Sequence, residues 1–359
     1  MNVIASYKNR QSNIELLRII SIFFILVTHA DFWALEAPSA SDLTNSFLPS
    51  ITRIFFESLS IICINIFVLI SGWFSIRASL KTIVKLLFQV FFILLIIYLI
   101  YIILEWDTIN LRSLSKCFIV GHEFWFIKAY LGLFILSPAL NTFATNVSEK
   151  VFRYVLIAFY SFQCLYAWIT PGAWFLHYGY SVTSFAGLYL LARYVRLYII
   201  EKPLEIKWGG QKCNIKSLYL LVFIGLTLLN TVLYIAGYYL PIVGLHLRTM
   251  VFAISSPLVI LQSLALLLYF YKIELKYNPI INFIAASSFS VFILQSSQDA
   301  ILYKDIVNNI YINNNGIICL LLILLVIIGY FVVGVLLDQL RKLLWDWIEP
   351  KVPDMRLYE

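Results

Sequence analysis

Residues Asn13–Ala30 read NIELLRIISIFFILVTHA, an apolar run carrying three ionisable side chains, Glu15, Arg18 and His29. Eleven residues separate Arg18 from His29. At about 100° per residue that is roughly three turns of an α-helix, so both side chains share a face, about 16 Å apart along the axis. Glu15, one turn before Arg18, falls on nearly the same face. Ionisable groups in hydrocarbon cost several kcal/mol and face a bundle interior or a wet cavity rather than lipid. The stretch is therefore expected to be a membrane helix whose polar stripe lines a route through the bilayer.

The rest of the chain fits that reading. Of its 359 residues 62% are hydrophobic and 13% charged, with a mean hydropathy of +0.88. A soluble domain is about half apolar and a quarter charged, so the composition is that of a polytopic membrane protein. Asn13–Trp33 is longer than a signal-peptide core and lacks a small-residue cleavage site, so it reads as a retained helix. Taking about 20 apolar residues per span, ten spans are expected at roughly 14–34, 52–73, 82–104, 119–142, 151–169, 180–198, 217–239, 247–271, 280–302 and 317–340. The expected fold is all-α: one transmembrane domain over 1–345 and a short cytoplasmic tail over 346–359, with short connections, no fixed-period repeat and no soluble C-terminal domain.

The formal net charge of +7 would raise nucleic acid as a partner for a soluble protein. Here it reads as loop bias, and no nucleic-acid partner is expected. With the N-terminus inside, ten spans leave Arg53, Arg112, Lys116, Lys128, Arg248 and Lys304 outside and the other twenty of the 26 Lys and Arg inside. That is the positive-inside pattern, with both termini cytoplasmic. The same topology puts His29, His122, His177 and His246 on the outer half. A protein that holds a polyanion inside and transfers protons further out would look like this, although His177 and His246 taken singly read as interfacial residues. Cys63, Cys117, Cys164, Cys213 and Cys319 lack CxxC spacing and read as small core residues; no metal is expected.

Four stretches carry the chemistry. In the first, Arg18 presents a planar fork suited to phosphate, or it snorkels to the interface. His29 titrates near neutrality and can take a proton from a hydroxyl. Glu15 reads as a local partner for Arg18 or as a functional group itself. In the second, Asn65–Lys85 (NIFVLISGWFSIRASLKTIVK), Ser71 and Gly72 end a span before a basic loop. Gly72 permits close backbone approach or a break. Arg77, Lys81 and Lys85, spaced by four, stack on one face if helical and would attract phosphates; the alternative is ordinary inner-loop charge. In the third, His122–Asn141 (HEFWFIKAYLGLFILSPALN), Trp125 suits an interfacial belt, and His122, Glu123 and Lys128 beside it suit a polar acceptor arriving from outside. In the fourth, Ala286–Asp299 (ASSFSVFILQSSQD), Ser287, Ser288, Gln295 and Gln298 either bond neighbouring helices or line a cavity.

Taken together these stretches resemble the acyltransferase-3 family of integral membrane acyltransferases. The first helix of that family has an acidic residue three before an Arg and a His eleven after it, matched here by Glu15, Arg18 and His29. Phe67–Phe74 (FVLISGWF) is similar to its apolar run ending in Ser-Gly-aromatic, and His122–Pro138 to its His-x-x-Trp stretch running to Ser-Pro. The chain departs from the family at the basic pair, Arg77 and Lys81 rather than Arg-x-x-Arg. It departs again in the late helix, where Phe292 and Gln295 stand at a Tyr and a His, and the hydrolase-like domain that many members append is not expected here. The resemblance implies transfer of an acetyl (acyl) group from cytoplasmic acetyl-CoA to a hydroxyl of a cell-surface or lipid-linked glycan, in a bacterial cytoplasmic membrane. Arg18, Arg77 and Lys81, beside Ser71 and Gly72, would hold the CoA phosphates. His29 would be the base or a transient acyl carrier. The alternative is a transporter or flippase that uses the same stripe.

Overall fold

The computed structural model describes residues 10–104, 114–115, 117, 124–170, 176–200, 207–208, 211–212, 214–296 and 299–356. Among these the secondary structure is helical, with one two-residue antiparallel ladder between Lys207–Trp208 and Gln211–Lys212. The chain forms a helical membrane bundle, as its composition requires. Helix α1 (Ser12–Thr28) runs into a π turn at His29–Trp33. It is followed by α2 (Ala40–Asn45), α3 (Phe47–Ser60), α4 (Cys63–Phe74), α5 (Leu80–Ile103), α6 (Trp125–Asn146), α7 (Glu149–Ile169) and α8 (Val182–Tyr194). Then come α9 (Ile215–Tyr239), α10 (Gly244–Val251), α11 (Pro257–Tyr271), α12 (Pro279–Ala285), α13 (Ser288–Gln295), α14 (Asp299–Asn313) and α15 (Gly316–Ile348).

Among the described residues six helical stretches are long and apolar enough to cross a membrane: Ser12–Trp33, Phe47–Phe74, Leu80–Ile103, Trp125–Asn146, Ile215–Tyr239 and Gly316–Lys351. The difference from ten lies in particular elements. Helix α7 begins with Glu149, Lys150 and Arg153, and α8 is short. The expected spans at 247–271 and 280–302 are not continuous helices. The first breaks at Phe252–Ser256, between α10 and α11, where Pro257 opens the next helix. The second breaks between α12 and α13 and again after Gln295. Non-helical backbone at membrane depth is tolerated where protein satisfies it. Asn65, fully buried on α4, donates to the Ile254 carbonyl at 2.9 Å, and Ser255 N donates to the Tyr178 carbonyl at 3.1 Å. Helix α6, by contrast, continues through Pro138, where Ser137 Oγ donates to the Phe134 carbonyl at 2.7 Å.

Helix α1 is the centre of the bundle, touching α3, α4, α11, α12, α13 and α15. Its Ile14, Leu17, Ile22, Ile25 and Leu26 are all buried. Hydrocarbon competes for apolar surface, so such helices associate through close packing and interhelical hydrogen bonds. Gly72 supplies the packing: a Cβ there would stand 2.4 Å from the Tyr189 carbonyl oxygen and 2.9 Å from its Cα, so α4 and α8 meet backbone to backbone. Helix α4 then stops at Ser75, which takes a positive φ of 64°. Helix α5 restarts at a capping box in which Ser79 and Thr82 bond each other's backbone N–H. Another capping box, Ser39 with Asp42, opens α2. There the Ser39 backbone and hydroxyl donors hold the Asp42 carboxyl below its usual range.

The helix ends sort into two groups. Asn13 Nδ2 donates to the carbonyls of Phe270 (3.0 Å), Tyr271 (3.3 Å) and Ile273 (3.2 Å), and Ser12 Oγ bonds Asn282 at 3.2 Å. The last residues return to the start of α5: Leu80 N donates to the Met355 carbonyl at 2.8 Å, and Lys81 pairs with Glu349 at 3.0 Å. The stretch expected as a tail therefore docks on the bundle at the Arg18 end. At the other end Tyr303 reaches the Leu26 carbonyl at 2.7 Å, and Arg53 pairs with Asp31 at 2.6 Å.

Candidate active site

Arg18 lines a cavity of about 230 Å³ with Arg10 of the same chain segment, Ser71 of α4, Gln89 of α5 and Tyr130 of α6. Phe67, Phe126 and Phe289 complete much of its wall. Glu15, 4% exposed, accepts from both arginines at 3.5 Å. It is thus the local partner of Arg18. Two guanidinium groups thus share this carboxylate and stand at one cavity, and the planar fork of Arg18 suits an anion. Ser71 Oγ lies 3.0 Å from Tyr130 Oη and donates to the Phe67 carbonyl at 2.9 Å.

The basic loop sits elsewhere. Arg77 lies exposed in the non-helical link Ser75–Ala78, so it does not stack with Lys81 and Lys85, which lie on α5. Lys81 is engaged by Glu349, and Lys85 sits 6.0 Å over the Trp345 ring. Neither Arg77 nor Lys81 lines the 230 Å³ cavity. Gly72 is buried one residue beyond Ser71, and its place is explained by the packing on Tyr189.

Beside the cavity lies a buried polar network of which the sequence singles out only Ser287, expected to bond a neighbouring helix or line a cavity. Asp338, fully buried on α15, accepts from Arg341 Nε at 2.7 Å, Ser290 Oγ at 2.6 Å and Gln89 Nε2 at 3.1 Å. Lys342 pairs with its second oxygen at 3.2 Å and donates to Ser287 Oγ at 2.8 Å. Gln89 belongs both to this network and to the cavity wall, so α5, α13 and α15 fix one side of the cavity. Its signal in the sequence was a single Gln in an apolar 24-residue helix and an Asp-x-x-Arg-Lys run at i, i+3 and i+4.

His29 opens the π turn at the far end of α1. Such turns disturb the regular ladder and occur often at functional sites. Nδ1 of His29 makes a close hydrogen bond with Oε1 of Gln295 on α13. An amide oxygen only accepts, so the ring proton belongs on Nδ1 and Nε2 keeps a free lone pair. Gln295 is 1% exposed, and its Nε2 has no hydrogen-bond partner among the described residues. Trp33, one turn on, stands 5.7 Å from the imidazole. The half-buried imidazole is thus held in one orientation with one basic nitrogen available, which suits proton abstraction or acyl capture.

The stripe from Arg18 to His29 is not open. Ile22 and Ile25 lie on the same face between them and are 1% and 4% exposed. Beyond them, at the His29 end, a second cavity of about 520 Å³ is lined by Ala30, Asp31, Arg53, Tyr311, Asn314 and apolar residues of α3 and α15. The Asp31–Arg53 pair stands on its wall, and Arg53 Nη2 also donates to the Glu36 carbonyl.

Of the expected acceptor group, His122 and Glu123 lie outside the described residues. Trp125 packs edge-on against Tyr180 at 4.5 Å, and Lys128 is exposed; neither lines the cavities just described. Gln298 also lies outside the described residues. His177 and His246 pack against aromatic rings, Tyr178 at 5.8 Å and Trp168 at 5.3 Å. The described cysteines are free, and Cys213 lies outside the described residues. No group of three or more His, Cys, Asp or Glu among the described residues is placed to hold a metal ion.

Comparison with protein families matches residues 11–338 to the acyltransferase-3 model, described as an acyltransferase domain. Comparison with curated proteins and with solved structures gives no match. The match takes in the helix with Arg18 and His29, the cavity wall at Ser71, Gln89 and Tyr130, Gln295, and the helix up to Asp338. The match covers nearly the whole bundle: the chain belongs to the acyltransferase-3 family and is a membrane acyltransferase.

Proposed function

We propose that the protein is an O-acyltransferase that moves an acetyl group from cytoplasmic acetyl-CoA to a hydroxyl of a cell-surface or lipid-linked glycan in a bacterial cytoplasmic membrane. The observation that carries the reading is the pair of fixed groups on α1: Arg18 in its cavity, and His29 held by Gln295 three turns away. The 16 Å expected between them is of the order of an extended pantetheine arm, so a CoA anchored by its phosphates at Arg10 and Arg18 can present its thioester near His29. Ser71, Gln89 and Tyr130 offer hydrogen bonds to the neutral part of the donor.

The acceptor hydroxyl then approaches His29 from the end that holds the 520 Å³ cavity. Nε2 takes the hydroxyl proton while the oxygen attacks the thioester carbonyl. The C–O bond forms, the C–S bond breaks, and the departing CoA sulfur receives the proton from the imidazolium. In the relay form Nε2 attacks the carbonyl first and CoA leaves as the thiolate; the acceptor oxygen then displaces the imidazole from the acyl group, and the acceptor's hydroxyl proton passes to the thiolate. Both forms need the orientation that Gln295 gives. Holding the reacting groups in place removes the entropic cost of bringing them together.

The test is mass spectrometry of surface glycans from cells that carry the protein, that lack it, or that carry His29→Ala. The expected result is an acetyl ester present with the wild type and lost in both other strains. A removed general base lowers the rate by about 10²–10⁴-fold. Unchanged acetyl content with normally expressed His29→Ala would overturn the role of His29.

A further inference from the structure

We infer that Lys85, in the field of Arg10 and Arg341, takes the 3′-phosphate of the donor, so that the protein selects CoA thioesters over thioesters without this phosphate. The inference rests on the donor cavity proposed above. That cavity, about 230 Å³, is smaller than the about 300–1,000 Å³ that pockets for drug-sized ligands enclose, and CoA is a larger molecule than these. With the pantetheine arm directed at His29 and the pyrophosphate at Arg10 and Arg18, the 3′-phosphoadenosine stands outside the cavity, on the side away from His29. The side chains there decide which nucleotide is accepted.

Helix α5 supplies the position. Its Leu86 and Gln89 are walls of the cavity. Lys85 precedes Gln89 by four residues, so it lies on the same face, about 6 Å nearer the start of α5. At that start the C-terminal stretch docks through Leu80 and Lys81. The Lys85 ammonium feels the charges of Arg341, Glu349, Arg10 and Asp338. Arg10 is itself a cavity wall, so Lys85 is within electrostatic reach of the pyrophosphate position. The carboxylates around it are engaged: Glu15 by Arg10 and Arg18, Asp338 by Arg341 and Lys342, and Glu349 by Lys81. Lys85 is exposed, has no ion-pair partner among the described residues and stands 6.0 Å over the Trp345 ring. An ammonium on a flexible stem is a point-charge ligand for phosphate. In CoA one ribose separates the pyrophosphate from the 3′-phosphate, which matches two neighbouring anion positions that share the field of Arg10.

The test measures binding of CoA and of 3′-dephospho-CoA to the purified full-length protein in detergent, as wild type, Lys85→Gln and Lys85→Arg. Acetyl transfer from the two acetyl thioesters is followed in parallel in membranes. The wild type is expected to bind CoA about tenfold or more tightly than 3′-dephospho-CoA, the scale of one hydrogen bond to a charged group. Lys85→Gln should weaken CoA and leave 3′-dephospho-CoA little changed, so that the two affinities converge. Lys85→Arg keeps the charge and should keep most of the preference. The KM values of the two thioesters should follow the same ratios, with kcat unchanged. Equal binding of the two nucleotides by the wild type would overturn the subsite, and is the result expected if Lys85 holds a lipid phosphate instead. Lys85→Gln weakening both nucleotides alike, or neither, would overturn it too. Discrimination in binding without acetyl transfer by the wild type would leave the subsite standing and remove the acyltransfer reading. Absence of CoA binding by the wild type would overturn both.

Discussion

His29 and Gln295 form the smallest unit of the account. The sequence places them 266 positions apart, and the fold joins them by one hydrogen bond. Replacing Gln295 by Leu removes the acceptor that fixes the ring proton on Nδ1. Turnover is expected to fall on the order of tenfold or more, as when an imidazole loses the partner that sets its tautomer, with the KM for acetyl-CoA little changed. A change in KM alone, with turnover intact, would place Gln295 in donor binding instead. Arg18→Ala should do the reverse and raise the donor KM, because its guanidinium lies in the cavity and not at the imidazole. Gly72 is a residue of packing: Gly72→Ala drives a Cβ onto the Tyr189 backbone. Overpacking of that kind costs about 1–3 kcal/mol, to be read as a lower unfolding temperature in detergent. Glu15, Arg18 and His29 were legible because their spacing on an apolar helix is one-dimensional information. That Gln295, read as a helix–helix or cavity residue, holds His29 was not, because the contact depends on how α13 docks on α1.

At the level of elements, the breaks carry the function. Helices α12 and α13 interrupt an apolar run that length alone marks as one span, and the interruption brings Ala285, Ala286 and Phe289 to the cavity. Its serines gave a signal of polarity but no sign that the helix would stop. Ser287 and Ser290 act on α15 through Lys342, Gln339 and Asp338. The Asp338–Arg341 pair is 0% and 2% exposed, so Asp338→Ala leaves a buried guanidinium without its charge partner. Breaking such a pair costs about 3–5 kcal/mol. Yield and thermal stability of Asp338→Ala should drop sharply, and the double variant Asp338→Ala/Arg341→Met should recover part of the loss. Equal stability of Asp338→Ala and wild type would show the network to be dispensable. The basic loop teaches the opposite lesson. Arg77 and Lys81 satisfied a spacing rule, yet Arg77 lies in the non-helical link before the cap at Ser79, and Lys81 turns to Glu349.

Across the whole molecule, α1 sets one end against the cavity at Arg18 and carries the imidazole at the other. Composition and the stripe on α1 were enough to read a helical membrane bundle. The helix ends fall into two groups: Asn13, Tyr271, Asn282 and Glu349 lie at the Arg18 end, and Asp31, Arg53 and Tyr303 at the His29 end. On the topology expected from Lys and Arg, which puts both termini in the cytoplasm, a cysteine placed at the exposed Ser41 or Asn315 should react with a membrane-impermeant maleimide in intact cells. One at the exposed Lys276 should react only after the membrane is opened. The reverse pattern would invert the donor and acceptor sides.

The central claim is that α1 joins a CoA site to an acylating imidazole. It is tested most directly by giving labelled acetyl-CoA to inside-out membrane vesicles containing the protein or its His29→Ala variant and following label into the glycan fraction. The account requires time-dependent labelling with the wild type and a loss on the order of 10²–10⁴-fold with His29→Ala. Equal labelling by the two proteins, or no consumption of acetyl-CoA by the wild type, would contradict it.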